Sequence, residues 1–559
     1  MAKITIDGKV LEVDPSRTVI QAAADHGIEI PHFCYHPRLS VAGNCRMCLV
    51  EIEKMPKLAI ACATQVSEGM VVQTKSERVL KAQHAVMEFL LINHPLDCPI
   101  CDEAGECKLQ DYAYEYSVGY SRFEEDKVHK PKRYKLGPHV LLDVERCIMC
   151  SRCIRFADEV AKQPVLTFTQ RGDHVVLTTF PETTFDSPYS MNVIELCPVG
   201  ALTSTDFRFK SRVWEMSATE SVCAGCERGC NTNVWVRNNQ ILRITPRQNE
   251  EVNSYWMCDH GRLNTFKHVG GEGRLDGPMI RKEGRLVKVG WDEAMAAVIS
   301  ELRSFKKGEI AGIGSGHATN EDNYVFQRLM RETLGTKNVD VVSHRKEGDE
   351  DSFLIRAEKS PNLYGARITG VRPDDGGLDL KGIISGIEDG TIKALYVLEE
   401  DIAAIAEFKS CLGSLDLLVV HSSAHNSTTE LADIVLSIST YAEKQGTFVN
   451  FQGRVQRIRP AVATIDQDRA LDGFTMSRWD KFGSHNDSWG RPVKKDARPS
   501  WRILSAIGSA LGAKWKYALA EDVFKELSER NSAFKGMTYW KIGSNGTVLS
   551  SVHEPVASR

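Results

Sequence analysis

His94-Pro95-Leu96-Asp97-Cys98-Pro99-Ile100-Cys101-Asp102-Glu103-Ala104-Gly105-Glu106-Cys107 sets one imidazole and three thiols in the order H-x3-C-x2-C-x5-C. The density of soft ligands continues on both sides of it. Upstream stand Cys34, Cys45, Cys48 and Cys62, spaced C-x10-C-x2-C-x13-C. Downstream come Cys147, Cys150, Cys153 and Cys197 (C-x2-C-x2-C-x43-C), then Cys223, Cys226, Cys230 and Cys258 (C-x2-C-x3-C-x27-C). In chain order these are the first, second, third and fourth sets, the histidine belonging to the second. Of the 16 cysteines only Cys411 is left over, and it reads as a buried apolar residue. Ligands of this softness arriving in fours point to a row of iron–sulfur centres. A row of redox centres is a route for electrons.

The composition sets few further limits. A chain of 559 residues is long enough for several domains of about 100–200 residues each. Hydrophobic content of 42%, charged content of 26% and a formal net charge of −4 suit a globular protein and give no reason to expect nucleic acid as a partner. There is no run of about 18 apolar residues, so no direct membrane span is expected. Met1-Ala-Lys-Ile-Thr-Ile leads straight into strand pattern, with no signal peptide in view. The cysteine fraction lies far below that of small disulfide scaffolds, and without export the thiols stay reduced and open to metal.

Strand patterns cover Lys3–Asp7 and Lys9–Asp14, turning at Gly8, and recur at Leu49–Glu53, Leu58–Ala61 and Met70–Thr74. The pattern predicts a helix over Val19–His26, with Thr18 before it and Gly27 after it. A longer helix is predicted over Ser76–Asn93, with Val79, Leu80, Ala82, Val86, Phe89 and Leu90 on its buried face. It ends where His94 precedes Pro95, a position that disfavours helical backbone. Residues 115–137 are polar and read as a surface connection. Further on, strands at Ala394–Leu398, Leu417–Val420 and Ile434–Ile438 alternate with helical stretches at Trp291–Phe305 and Glu321–Leu334. That alternation predicts an α/β domain with a mainly parallel sheet. Ser477–Arg498 reads as an exposed loop.

Taken singly, the sets leave structural zinc open. Zinc accepts four thiolates, or three thiolates and an imidazole, so the second set alone is ambiguous and the fourth could be a zinc ribbon. Gly43 opens the loop of Cys45 and Cys48, where backbone N–H groups could approach bridging sulfides. The third set has one triplet and one Cys-Pro, Cys197-Pro198, and so should close on a single centre. Arg146, Arg152 and Arg155 flank that triplet, either balancing a negative cluster or, for at least one of them, forming solvated surface. Gly312-x-Gly-x-Gly316 lacks the third glycine spacing of a dinucleotide fingerprint.

The order of the first three sets, with Asn192-Val-Ile-Glu-Leu-Cys-Pro-Val-Gly-Ala-Leu-Thr203 and Trp214-Glu215, resembles the large iron–sulfur subunits of respiratory complex I. The likeness runs through the whole chain. It implies α+β iron–sulfur domains, namely a β-grasp 2Fe–2S ferredoxin over 1–78, a helical 4Fe–4S segment with one histidine and three cysteine ligands over 79–118 and a ferredoxin-like 4Fe–4S domain over 138–212. An α/β molybdopterin-oxidoreductase-like domain over 216–559, truncated and opened by a 4Fe–4S motif, would follow. The cofactors implied are one 2Fe–2S cluster on Cys34, Cys45, Cys48 and Cys62, and three 4Fe–4S clusters on the other sets, His94 serving as one ligand. A neutral imidazole in place of a thiolate removes about one negative charge from its cluster.

By the same resemblance the chain passes electrons from a flavin subunit towards quinone and has no catalytic site of its own. Its partners would be the flavin/NADH-binding subunit, a small 2Fe–2S subunit, a two-cluster ferredoxin-like subunit and the quinone-side peripheral subunits. Its place would be the cytoplasmic face of a bacterial inner membrane, the fourth set being a feature of some bacterial members. That set would be structural if it lies too far out to conduct.

Arg274-Leu-Asp-Gly-Pro-Met-Ile-Arg281 with Trp291-Asp-Glu-Ala294, and Glu443-Lys-Gln-Gly-Thr-Phe-Val-Asn450 with Gly453-Arg-Val-Gln456, resemble signatures of molybdopterin oxidoreductases. After Asn338-Val-Asp340, however, Lys346 stands near the metal-ligand position, and a protonated lysine binds no metal. Ser343 and His344 lie close but off register. About 110 residues follow Asn450, a short length for the barrel that completes a pterin site. Molybdopterin is therefore not expected. The alternatives are a molybdenum or tungsten enzyme such as formate dehydrogenase, or an electron-transfer subunit of an NAD-linked hydrogenase. Anaerobically purified protein should contain iron and acid-labile sulfide; zinc without labile sulfide would end the cluster reading.

Overall fold

The first hairpin is dictated by its turn. Asp7 and Gly8 both take positive φ (48° and 81°), the backbone of a two-residue turn that matches strand twist. They set β1 (Ala2–Ile6) against β2 (Lys9–Val13) with Ile6 opposite Lys9. The computed structural model describes residues 1–374, 376–467 and 493–550, so most of the stretch read as an exposed loop, residues 477–492, lies outside the described residues. The chain divides into two compact units, Met1–Glu215 and Met216–Arg559.

In the first unit, β1 and β2 join β3 (Leu49–Ile52), β4 (Ala59–Ile60) and β5 (Val71–Gln73) in the order β2-β1-β5-β3-β4. Only β1 and β5 run parallel. Helix α1 (Val19–Asp25) buries Val19, Ile20, Ala22 and Ala23 in the same core as Ile4, Ile6, Val50, Ile52 and Val72. Its start is fixed by Gln21, whose Oε1 accepts from the Thr18 backbone N–H at 2.9 Å. One parallel pair at the centre of a mixed sheet with a helix across it is the β-grasp arrangement.

Helix α2 (Glu77–Ile92) begins at Ser76, whose hydroxyl accepts from the Val79 N–H. Its buried face is Val79, Gln83 and Met87. The face expected from periodicity is rotated away from this: Phe89 is 75% exposed, and Leu80, Ala82, Val86 and Leu90 are half-buried. Gln83 is what shifts the stripe, because its amide donates to the Leu49 carbonyl at 3.5 Å and so belongs inside. Helix α3 (Lys108–Tyr116) follows. The polar connection beyond it is tied down by more than solvent: Lys127 donates to the Leu91 and Ile92 carbonyls at 2.8 and 2.7 Å, closing the end of α2. It also carries β6 (Tyr134–Lys135), which pairs with β7 (Val140–Leu142). The rest of the unit is α4 (Arg152–Glu159), the hairpin β8 (Leu166–Thr169) and β9 (Val176–Thr179), α5 (Asn192–Leu196) and β10 (Leu202–Ser204), which pairs with β7.

The second unit opens with an antiparallel sheet of β11 (Ser217–Val222), β12 (Asn231–Arg237) and β13 (Gln240–Pro246). Its main sheet has seven strands: β14 (Met279–Lys282), β15 (Arg285–Lys288), β16 (Ile310–Gly314), β17 (Val339–Val341), β18 (Ala394–Leu398), β19 (Leu417–Ser422) and β20 (Ile434–Ser437). They lie in the order β15-β14-β20-β19-β18-β16-β17, parallel from β20 to β17, with the β14–β15 hairpin antiparallel at one edge. Of the expected helices, the first is slightly shorter, Trp291–Leu302, and the second runs as α-helix over Asn320–Arg328 and continues as π-helix over Leu329–Thr333. The chain passes from β16 outward to β17 and back across to β18, so the order reverses between β16 and β18. Such a reversal opens a crevice at the carboxyl ends of the strands. The glycines of β16 are packing glycines: a Cβ on Gly312 would meet Met330 Cε at 2.8 Å, and one on Gly314 would overlap Val371 Cγ1.

A third sheet joins β21 (Gly446–Val449), β22 (Arg454–Ile458) and β23 (Thr547–Val548). Just before β21, Lys444 is fully buried, with its ammonium 2.8 Å from Asp322 and 2.6 Å from Glu399. The two carboxylates hold the Lys444 charge in place and push its pKa up despite burial. Lys444→Met should lower the stability of this unit by about 3–5 kcal/mol, because two buried carboxylates lose their cation. An unfolding transition at the parent's midpoint would show that the triad is not needed.

Candidate metal centres

The first set is assembled by the loop between α1 and β3 and by the end of β4. Cys34, Cys48 and Cys62 are buried and Cys45 half-buried. The Cys34 backbone N–H donates to Cys45 Sγ at 3.4 Å. Thiol–thiol hydrogen bonds, Cys34 with Cys45 and Cys48 with Cys62, pull Cys34 and Cys62 down and drive their partners up. Gly43 (φ 61°) and Arg46 (φ 59°) both take left-handed backbone in this loop. Alternation of this kind turns successive N–H groups inward, as in cradles for anions and iron–sulfur centres.

The second set is built where two helices meet their loop. His94 follows the end of α2, Cys98 and Cys101 bracket a single turn, and Cys107 caps α3. The His94 Nδ1 is buried with no hydrogen-bond partner among the described residues. Burial lowers this imidazole to about 4, so it is neutral and able to ligate. Burial likewise pushes the Cys107 thiol up to about 12. Arg212 donates to the carbonyls of Cys101 and Pro99. Gly200 lies so close that a Cβ there would overlap Cys101 Sγ.

In the third set, Cys147, Cys150, Cys153 and Cys197 line one small cavity closed by Leu142, Phe168 and Leu177. Met149 (φ 56°) and Ser151 (φ 62°) alternate with the ligands in left-handed backbone, a costly choice for residues with side chains and again the geometry of an N–H cradle. Burial raises Cys147 to about 12 and Cys153 and Cys197 well above their ordinary value. None of the three flanking arginines is solvated surface. Arg146 is 3% exposed and pairs with Asp97 at 2.7 Å and Asp143 at 3.4 Å. Arg152 is 6% exposed, and the half-buried Arg155 donates to the carbonyls of Cys34, Ser40 and Cys150.

The fourth set lies in the second unit, where Cys223, Cys226, Cys230 and Cys258 line a cavity of about 870 Å³. Other walls come from the carboxyl ends of β16, β18, β19 and β20, through residues such as His317, Glu400, Ser422 and Ile438. Gly261 approaches closely, its N–H 3.3 Å from Cys258 Sγ, and a Cβ on it would meet Cys223 Sγ at 2.9 Å. Lys346 lines this cavity. Ser343 donates to Glu358 at 2.5 Å, and His344, which also lines the cavity, has its Nε2 2.7 Å from Glu400.

The two signature segments are ties within this unit. Arg274 pairs with Glu443 at 2.6 Å, both buried. Asn450 and Gln456 donate to the carbonyls of Arg228 and Gly229, at 3.3 and 2.8 Å, inside the loop that carries Cys226 and Cys230. Among the described residues no three His, Cys, Asp or Glu side chains converge where a single metal ion would sit. The buried sulfurs, the cradling backbone and the orphaned Nδ1 of His94 fit clusters, which spread their ligands more widely than one ion does.

These features define a protein of clustered, buried soft-metal ligands joined to an α/β domain. Family models match in that sense: a 2Fe-2S iron-sulfur cluster binding domain at 1–77, an NADH-ubiquinone oxidoreductase-G iron-sulfur binding region at 83–122 and the ferredoxin-like domain of NADH-quinone oxidoreductase subunit 3 at 137–203. An NDSU1/NuoG-like 4Fe-4S domain matches at 216–265 and molybdopterin oxidoreductase at 274–375 and 366–470. The G-type subunit of NADH-quinone oxidoreductase from Rickettsia conorii is 43% identical over 67% of this chain and 54% of its own length. The NADH-ubiquinone oxidoreductase 75 kDa subunit of Reclinomonas americana is 42% identical over 64% of this chain and 52% of its own. The chain thus spans about half the length of the curated relatives it matches. A chain of an NAD+-reducing NiFe hydrogenase is 28% identical and covers 38% of this chain and 91% of its own, at a TM-score of 0.34. The chain belongs to the family of the large iron–sulfur subunit of NADH-quinone oxidoreductase.

Gly200→Ala is expected to displace Cys101 and cost the second set its cluster, read as lower iron and labile sulfide per chain. Iron at the parent's level would show that the close approach is not required.

Proposed function

We propose that this chain carries electrons within an NADH-quinone oxidoreductase, holding one 2Fe–2S cluster on the first set and 4Fe–4S clusters on the second, third and fourth, with His94 as a ligand of the second. When bound, the clusters supply reversible one-electron transfer. The protein's part is to hold those of the first unit buried and in fixed order. Partners in this reading are the flavin subunit and small 2Fe–2S subunit on the input side, and a two-cluster ferredoxin-like subunit and quinone-side subunits on the output side. No helix among the described residues is long and apolar enough to cross a membrane, which suits a peripheral position; we place it on the cytoplasmic face.

One observation carries the reading: within the first unit the third set touches both of the others. Towards the first set, the Asn44 amide donates to the Met149 carbonyl at 3.1 Å, and Arg155 joins the Cys34 and Cys150 carbonyls. Towards the second set, the Lys108 N–H donates to the Pro198 carbonyl at 3.2 Å, and Gly200 abuts Cys101. We take the order of the carriers as first, third, second, which differs from order in the sequence. The route follows it, and the fourth set, in the other unit, serves folding by cross-linking its loop to the segment at Cys258.

Cys150→Ser should abolish NADH-driven quinone reduction while leaving the first-set cluster reducible by NADH. Cys101→Ala should leave both the first-set and third-set clusters reducible. A Cys150 variant whose second-set cluster is still reduced at the parent rate would overturn the order. Cys226→Ser should weaken assembly and spare turnover per assembled complex; slow turnover with normal assembly would make the fourth set a conductor.

A further inference from the structure

Arg152 differs from Arg146 in how its charge is met. Its side chain is buried, and no carboxylate among the described residues lies within ion-pair reach. Its partners are two carbonyls: Nη2 donates to Tyr35 at 2.5 Å and Nη1 to Leu196 at 3.2 Å. Tyr35 follows the ligand Cys34, and Leu196 precedes the ligand Cys197. The planar guanidinium thus straps a first-set ligand segment to a third-set one, a task for a fork of fixed geometry. The Nε–H is buried with no hydrogen-bond partner among the described residues. Arg146, equally buried, has its charge answered by Asp97 and Asp143.

A buried cation without an anion is costly to a fold. Thiolate-ligated clusters are anions, and each gains one negative charge on reduction. A fixed cation between two such centres stabilises the reduced state of both. Resting on the cluster assignment proposed above, we infer that Arg152 is a shared positioning and potential-setting residue, whose guanidinium is the common counter-ion of the first-set and third-set clusters.

The test is a redox titration followed by EPR on the whole chain, purified anaerobically with its clusters. The parent must first show two-iron and four-iron signals; their absence would sink the cluster assignment and not this inference alone. With them present, Arg152→Gln is expected to move the first-set and third-set potentials to more negative values together, leaving the second-set potential in place. Two potentials unchanged, or only one of them moved, would overturn the shared role. Should Arg152→Gln fail to hold both clusters, Arg152→Lys, which keeps the charge and gives up the fork, is expected to restore them. A lysine variant equally lacking them would show that shape and not charge is needed, and would overturn the inference.

Discussion

A thiol taken out of water holds its proton more tightly, because burial penalises the thiolate, and the architecture turns on where these thiols are buried. Cys153, Cys197 and Cys230 sit where burial pushes the thiol well above its ordinary pKa, and a bound metal would make the thiolate favourable there. The surrounding backbone is committed to the same end. Met149, Ser151, Gly43 and Arg46 accept left-handed conformations in the ligand loops, and glycines at 200 and 261 leave no side chain in the way. Cluster insertion and folding of these loops are on this view one event.

Much of this was legible in the sequence because ligand chemistry is spelled out in residue type and spacing. The hairpin at Asp7-Gly8, the helix starting after Thr18 and the strands Ala394–Leu398 and Leu417–Ser422 follow local rules, and the structure has them within a residue or two. What local rules miss depends on distant partners. The inner face of α2 departs from its periodicity because Gln83, polar by type, is buried by its bond to Leu49. The tight approach of Gly200 to Cys101 and the bond from Asn44 to Met149 join residues about a hundred positions apart. Spacing names ligands; it cannot say which set stands next to which. The arginines show the same limit, since three similar residues near one motif have three different surroundings.

The second unit shows why a signature can outlast the chemistry it is associated with. Glu443 anchors Arg274, Lys444 satisfies Asp322 and Glu399, and Asn450 and Gln456 brace the loop bearing Cys226 and Cys230. Arg274, Glu443, Lys444, Asp322, Asn450 and Gln456 are buried and Glu399 is half-buried, and the bonds named are made inside the fold. Removing any of them would leave unpaired polar groups or charges in the interior. Such a pattern persists for structural reasons, whatever the nearby cavity binds.

The bonds from Asn44, Arg155 and Lys108 that join neighbouring ligand segments have a kinetic corollary. Free ferredoxins must find, orient on and leave each partner, and salt screens that search. On the proposed route, consecutive carriers are stitched into one polypeptide body, so no collision separates one hop from the next. Dissolved ions then have little hold on internal conduction, and what ionic strength can govern is confined to the junctions with other subunits.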